Sequence, residues 1–354
     1  MKPRKISAQP NGRAATPGTG RTLPPLPPPS GSRGVASPDI DEPLDGPDLA
    51  DMAFIPSGTF TMGSDRHYPE EAPAHDVSVD GFWIDRHPIT NEEFARFVKA
   101  TGYVTFAERA ADPLKYPGAK PELLVPSSIV FRKPIHQVDL RNHYNWWFYV
   151  PGANWRHPLG PSSSIEKKAT HPVVHVAFED AQAYARWVGK ALPTEAEWEM
   201  AGRGGLNGAE FSWGDEFTPG GVHLANTWQG EFPYQNLGTD GFEGTSPVGA
   251  FPANGYGLFD MAGNVLEWTV DWYQSHQDIQ RSCCTIHNPR GGALENSFDP
   301  CLPDVPIPRR VTKGGSYLCA PNYCRRYRPA ARMAQPIDTS TCHLGFRCIV
   351  RATQ

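Results

Sequence analysis

Leu192-Pro193-Thr194-Glu195-Ala196-Glu197-Trp198-Glu199 is the stretch on which the reading of the fold turns. Thr194 with Glu197 three residues later is a capping box. The hydroxyl takes a free N–H of the first helical turn, and the carboxylate reaches back to the Thr194 N–H. A helix therefore begins at Thr194 and stops near Gly202. Upstream, Thr90-Asn91-Glu92-Glu93 is a second box, opening a helix with Phe94, Phe97 and Val98 that runs to Thr101-Gly102. A third helix is predicted over Asp180–Gly189, with Ala181, Tyr184, Trp187 and Val188 on one side. Downstream of Gly202 the pattern changes. Glycine and Asn/Asp recur every few residues to the end, which leaves room only for short strands and loops. Near the start, Phe54-Ile55 and Phe60-Thr61-Met62 flank Pro56-Ser57-Gly58, a strand, a turn and a strand. Val77, Val79 and Phe82-Trp83-Ile84 suggest more short strands. The fold class is α+β with little regular secondary structure, one domain over residues 51–354.

Composition agrees. The chain has 354 residues, with 34 glycines and 37 prolines, which argues against a helical bundle. Ten tryptophans and 17 phenylalanines supply bulk for a core. A net charge of -5 provides no general basic field, so nucleic acid is not expected as a partner. No run approaches the roughly 18 apolar residues of a membrane helix. Residues 1–50 hold 11 prolines, six glycines and no aromatic residue, and read as a disordered Pro/Gly-rich tail. Within it, Pro24-Pro25-Leu26-Pro27-Pro28-Pro29 suits an SH3-like groove, although an exposed tail explains it as well. An apolar stretch after the basic start, as a secretory signal needs, is missing.

The cysteines stand at 283, 284, 301, 319, 324, 342 and 348. An odd number without an export signal does not look like a secreted disulfide framework. Cys319 and Cys324 lie in Gly314-Gly315-Ser316-Tyr317-Leu318-Cys319-Ala320-Pro321-Asn322-Tyr323-Cys324. Two thiols five apart in a Pro/Asn loop can converge, and Arg325, Arg326 and Arg328 would favour thiolate. Two thiolates suit Cu(I); zinc would want two more ligands. A disulfide, or two buried free thiols, fits the spacing equally well. Two further stretches combine carboxylates with turn carbonyls, as Ca2+ sites do: Asn226-Thr227-Trp228 with Asp240-Gly241-Phe242, and Asp260 to Glu267. Ordinary Asp-Gly turns also explain both. His171-Pro172-Val173-Val174-His175 lacks the Glu of a zincin and reads as a strand with structural histidines. Walker, G-x-G-x-x-G and G-x-S-x-G motifs are missing, so nucleotide-dependent and serine-hydrolase readings have no local support.

From about Met52 to Arg351 the sequence resembles the formylglycine-generating enzymes, or sulfatase-modifying factors. The resemblance rests on Phe54-Ile55-Pro56-Ser57-Gly58, Pro151-Gly152-Ala153-Asn154-Trp155-Arg156-His157-Pro158, the Leu192–Glu199 stretch, Asn226–Pro233, Asn254–Asp260 and Leu344-Gly345-Phe346-Arg347-Cys348. The Gly-Gly-Ser-Tyr-x-Cys-x4-Cys segment is the most selective. The resemblance implies a C-type-lectin-like variant of the α+β fold. It also implies copper-dependent oxidation, by O2, of the cysteine in a Cys-x-Pro-x-Arg motif of an unfolded or nascent type I sulfatase to Cα-formylglycine. Copper would sit on Cys319 and Cys324, with Ser316 and Tyr323 as further catalytic residues, and a thiol reductant would be consumed. Two structural Ca2+ ions are implied. One takes Asn226 and Asp240 by side chain, with Thr227 and Phe242 by carbonyl; the other takes Asp260 and Glu267, with Gly263 and Val265. The expected protein is a cytoplasmic monomer that does not contact membranes. There are departures. The disulfides of vertebrate members would need cysteines where Ala185, Ala201 and Pro329 stand, so Cys348 has no partner and a prokaryote-like member is expected. Leu266 replaces a tryptophan beside the pocket, and a longer loop between His276 and Arg310 is a candidate cover for the substrate groove. Two alternatives stay open: a non-catalytic paralogue or lectin-like binding module, and a non-heme iron sulfoxide synthase. The latter would need an N-terminal helical domain that residues 1–50 cannot form.

Overall fold

The computed structural model describes residues 47–276, 285–303 and 305–352. The expected tail falls outside them apart from residues 47–50, as do Cys283 and Cys284. The first two strands are present but do not form a hairpin. β1 (Met52–Ile55) pairs with β4 (Phe82–Asp85), which also carries β12 (Ile349–Arg351). β2 (Gly58–Met62) pairs with β3 (His75–Val79), and β8 (Ile286–His287) adds parallel to β3. Two small sheets result, and both feed one core. Ile55 from one and Phe60 and Met62 from the other meet Trp198 and Met200.

Both capping boxes form. Thr90 and Glu93 open α1 (Asn91–Thr101), and Gly102, at φ 69°, closes it. Thr194 and Glu197 open α3 (Glu195–Arg203). This helix ends at Gly204, at φ 59°, and not at Gly202, which lies inside it against Trp198. The intervening helix, α2 (Phe178–Trp187), starts earlier than expected because Asp180 acts as its third residue. The Asp180 carboxylate accepts the Ala177 N–H at 2.8 Å and so satisfies a helix start that has no Ser or Thr. Phe94 and Phe97 of α1 pack on Tyr184 of α2 and on Trp155 and Phe346. No helix among the described residues is long and apolar enough to cross a membrane.

The segment 171–176 is not a strand; it makes only an isolated bridge at Pro172. His175 takes φ 62° and is fully buried, so the backbone turns where a strand would continue. One ring nitrogen meets the Ser128 hydroxyl at 2.7 Å and the other meets the Pro158 carbonyl at 2.8 Å. Burial pushes its pKa down to about 4, so this is a neutral structural histidine, as expected.

A four-stranded sheet is made of β10 (Arg332–Pro336), β9 (Arg309–Lys313), β7 (Leu266–Trp272) and β11 (Leu344–Gly345), side by side in that order. β9 lies antiparallel to both β7 and β10, and β11 runs parallel to β7. The end of β9, the start of β7 and the start of β11 therefore share one edge. A hairpin of β5 (Ser127–Phe131) and β6 (Trp147–Pro151) stands beside it, with Ile129 and Ser340 joined through backbone at 3.1 Å. Behind the sheet the core is charged but paired. Lys313 reaches Glu199 at 2.9 Å, Arg203 reaches the same carboxylate at 2.7 Å, and Arg332 forks onto Glu195. Burial pushes Glu199 up, yet Lys313 and Arg203 outweigh it and hold the carboxyl below its usual range.

Candidate active site

β9 leaves the sheet at Gly314-Gly315 and returns as β10 at Arg332, the residue that pairs with Lys313. The long excursion between them carries Ser316, Cys319, Tyr323 and Cys324. Excursions of that length without regular structure are commonly functional. Gly315 has φ 67°, and a Cβ there would lie 2.6 Å from the Arg326 carbonyl carbon and 2.7 Å from the Tyr327 nitrogen. The missing side chain lets the outgoing and returning limbs touch. Gly315→Ala is expected to cost about 2–5 kcal/mol, combining left-handed strain with a clash against backbone. Gly208→Ala, also at positive φ but with open space around its Cβ, should cost only about 1 kcal/mol. Denaturant midpoints compare the two; equal losses would mean that the close approach contributes nothing.

The tip of the excursion is a hydrogen-bonded turn. Cys319 N–H donates to the Ser316 carbonyl at 2.9 Å, and the Tyr323 and Cys324 N–H groups both donate to the Ala320 carbonyl, at 3.1 and 2.9 Å. The Trp228 N–H holds the Cys319 carbonyl, and the Asn322 amide reaches Glu231 at 3.0 Å. Together these bring the two sulfurs to 3.1 Å as free thiols. They are neither far apart nor joined in a disulfide. The pair shares a proton. A hydrogen bond from the Cys319 thiol brings Cys324 down to about 6, with burial opposing and the Arg326 guanidinium assisting. Cys319, as the donor and fully buried, is pushed well up. The direction favours thiolate character on the Cys324 side of the pair, next to Arg326.

The sulfurs lie on the floor of a cleft of about 1160 Å³. Trp147, Phe148 and Tyr149 of β6 line one side, and Leu266 also faces it. The structure brings Ser316 and Tyr323 to this cleft as well. Ser316 is fully buried, and Tyr323, 40% exposed, stacks on Phe232 at 4.3 Å between centroids. Three contributors were not singled out from the sequence. His343 meets the Ser316 hydroxyl at 2.8 Å, Trp147 tilts against His343 at 5.1 Å, and Phe232 supports Tyr323. Each is brought in by a different segment, so no local spacing announces them. Of the loop after His276, no described residue from 285 to 308 lines the cleft, and 277–284 lie outside the described residues. Its described part pairs β8 with β3 and bridges Gly292 to Trp272.

The other described cysteines lie elsewhere. Cys348 is a buried free thiol in the same core cluster as Ala185, Cys342 is buried against Phe131, and Cys301 is exposed. Among the described residues no group of three or more His, Cys, Asp and Glu could hold a metal ion, so a four-ligand zinc site finds no support there. Two converging free sulfurs fit a soft, low-coordinate ion. At the first candidate calcium stretch, Asn226 Oδ1 and Thr227 Oγ1 are buried without a partner. The Asp240 carboxylate beside them accepts from the Thr227 and Phe242 N–H groups, so Asn226, Thr227, Asp240 and Phe242 do converge. At the second, Asp260 accepts from Gly249 and Asn264, and Glu267 is closed by Arg347 and Trp198. Gly263 and Val265 lie in the same buried turn. Carboxylate oxygens have donors at both stretches, and what distinguishes the first is its orphaned Asn226 and Thr227 side-chain oxygens, so the stability test below is made there.

A reactive dithiol at the floor of a peptide-sized cleft, on a loop-rich α+β scaffold, defines a site for soft-metal or sulfur chemistry. Residues 40–352 match the model of the sulfatase-modifying factor enzyme 1-like domain. The chain is 53% identical over 304 residues to the formylglycine-generating enzyme of Mycobacterium tuberculosis, covering 85% of this chain and 98% of that one. To the formylglycine-generating enzyme of Thermomonospora curvata it is 47% identical, covering 84% and 92%. It is also 39% identical to the inactive C-alpha-formylglycine-generating enzyme 2 of Mus musculus, covering 84% of each. PvdO from Pseudomonas aeruginosa, at 24% identity and a TM-score of 0.56, covers 85% of this chain and 94% of its own and shares the fold. The chain belongs to the formylglycine-generating enzyme family and is an enzyme of that class, with the α+β architecture expected of it.

Proposed function

We propose that the chain converts the cysteine of a Cys-x-Pro-x-Arg segment in a type I sulfatase to Cα-formylglycine, with O2 as oxidant and Cu(I) held by Cys319 and Cys324. The observation that carries this reading is the 3.1 Å approach of two free sulfurs at the floor of the cleft. Relatives named as active and as inactive enzymes both resemble this chain, so overall similarity does not decide the matter; the intact thiol pair favours the active class. In the balanced reaction, one CH2–SH and one O2, with two electrons and two protons, give one CHO, one hydrogen sulfide and one water. A thiol reductant supplies the electrons by forming its disulfide.

When bound, Cu(I) supplies a soft position for the substrate sulfur and the redox chemistry of O2. The chain's own residues do the rest. Arg326, 3.9 Å from the Cys324 sulfur, favours its thiolate form. Tyr323, clamped by Phe232 and the Trp146 edge, holds one wall beside the sulfurs. Ser316, fully buried, borders the cleft beside the sulfurs. Phe148 and Tyr149 give an extended peptide a partly exposed aromatic surface. We assign residues 51–354 as the catalytic domain of a cytoplasmic monomer, with 1–50 as a tail.

Calcium at Asn226, Thr227, Asp240 and Phe242 would satisfy the orphaned oxygens and tie down a loop next to Trp228. Chelation with EGTA is then expected to lower Tm by several degrees, and Asp240→Ala should remove that response. An EGTA-insensitive wild type would dismiss the ion.

A further inference from the structure

We propose that His343 is a positioning residue: it fixes the Ser316 hydroxyl so that one hydrogen-bonding direction of that oxygen is left for the substrate. This rests on the proposed conversion of a peptide cysteine in the cleft. A serine hydroxyl has three hydrogen-bonding positions, one donor and two acceptor. The Leu318 N–H occupies one, at 3.2 Å, and His343 Nδ1 occupies a second, at 2.8 Å. The third has no protein partner among the described residues, and Ser316, though fully buried, borders the cleft together with both cysteines. Without the imidazole, a hydroxyl held by Leu318 alone would rotate, and its remaining positions would be shared with water.

The histidine is itself held on several sides. Its carbonyl accepts the Leu266 N–H at 2.9 Å, where β11 begins to pair with β7. Trp147 tilts against its ring at 5.1 Å. Ser316 hangs from the end of β9 and His343 precedes β11, so one sheet edge sets both ends of the hydrogen bond. Burial, with His175 nearby, pushes the His343 pKa down to about 3, so the ring is neutral at working pH. A base that weak orients a proton and does not store one. With Nδ1 engaged by the Ser316 hydroxyl at 2.8 Å, the geometry is that of positioning.

The test separates the group at Nδ1 from the rest of the ring. An asparagine amide at this position overlays Nδ1, whereas a glutamine amide lies one bond further out. His343→Gln is expected to lower kcat for a Cys-x-Pro-x-Arg peptide by about 100-fold with KM nearly unchanged, the loss typical of a misplaced reacting group. His343→Asn should stay within about threefold of wild type. Ser316→Ala/His343→Gln should be no worse than Ser316→Ala alone, because the two act as a unit. Tm and anaerobic Cu(I) binding should not change in the single variants. Additive losses, a loss confined to KM or Tm, or an unimpaired His343→Gln would each overturn the assignment. A readout without turnover distinguishes failure of this idea from failure of the functional reading. The 15N shift of His343 Nδ1 should move in Ser316→Ala, and an unmoved resonance refutes the pairing even if the peptide is never converted.

Discussion

Cys319→Ser is expected to abolish conversion of a Cys-x-Pro-x-Arg peptide, by about 1000-fold or more, while leaving the fold intact. The reasoning starts from the pair and not from one residue. The serine hydroxyl can still donate to the Cys324 sulfur, as the Cys319 thiol does, so what the substitution removes is one of two converging soft ligands. Serine keeps the shape of the turn, whose backbone bonds to Ser316 and Ala320 do not involve the sulfur. It replaces a soft donor with a hard one that Cu(I) binds poorly. Two measurements check this. Mass spectrometry of the peptide should show a loss of about 18 Da, the change from CH2–SH to CHO, with wild type and not with the variant. Anaerobic titration should show stoichiometric Cu(I) only in wild type. Retained conversion by Cys319→Ser would refute the proposed chemistry. Conversion by wild type with no copper bound would refute the cofactor and leave the activity standing.

What could be read from the sequence was what is local. The Thr90 and Thr194 boxes state their helices within four residues, and both helices formed. The thiol pair was legible for the same reason, since its turn closes through Ser316 and Ala320 a few residues away. Distant pairing was not. Phe54-Ile55 and Phe60–Met62 read as two strands about a turn, but their partners, β4 and β3, send them to different sheets. The proline and valines before His175 suggested a strand, yet the backbone turns at His175, at φ 62°, where its buried imidazole meets Ser128 and Pro158. Asp180 moved the start of α2 by supplying a cap from inside the helix. His343 joined Ser316 only because β9 ends and β11 begins at the same sheet edge, a fact that no spacing along the chain expresses.

Arg347→Leu carries the largest expected stability loss, and it shows how the charged core and the cleft depend on each other. Arg347 and Glu267 are fully buried and joined by a two-pronged ion pair at 2.7 and 2.8 Å. The guanidinium also donates to the Phe259 carbonyl at 2.9 Å and, more weakly, to those of Asp85 and Arg86, tying three segments together. Leucine would leave Glu267 charged in the interior with only the Trp198 indole N–H as donor. Breaking one side of such a pair costs about 3–5 kcal/mol, a large part of a typical total of about 5–15 kcal/mol. For about 300 folded residues that is a fall in Tm of roughly 5–8 °C. Arg347→Met/Glu267→Gln removes both charges, so it should recover part of the loss; no recovery would mean that the backbone carbonyls, and not the carboxylate, are what the arginine serves. Glu267 pairs in register with Gly345, one residue beyond the point where His343 and Leu266 meet. A loosened pair should therefore lower kcat at temperatures well below the melt, where an effect on stability alone would leave turnover per folded molecule unchanged.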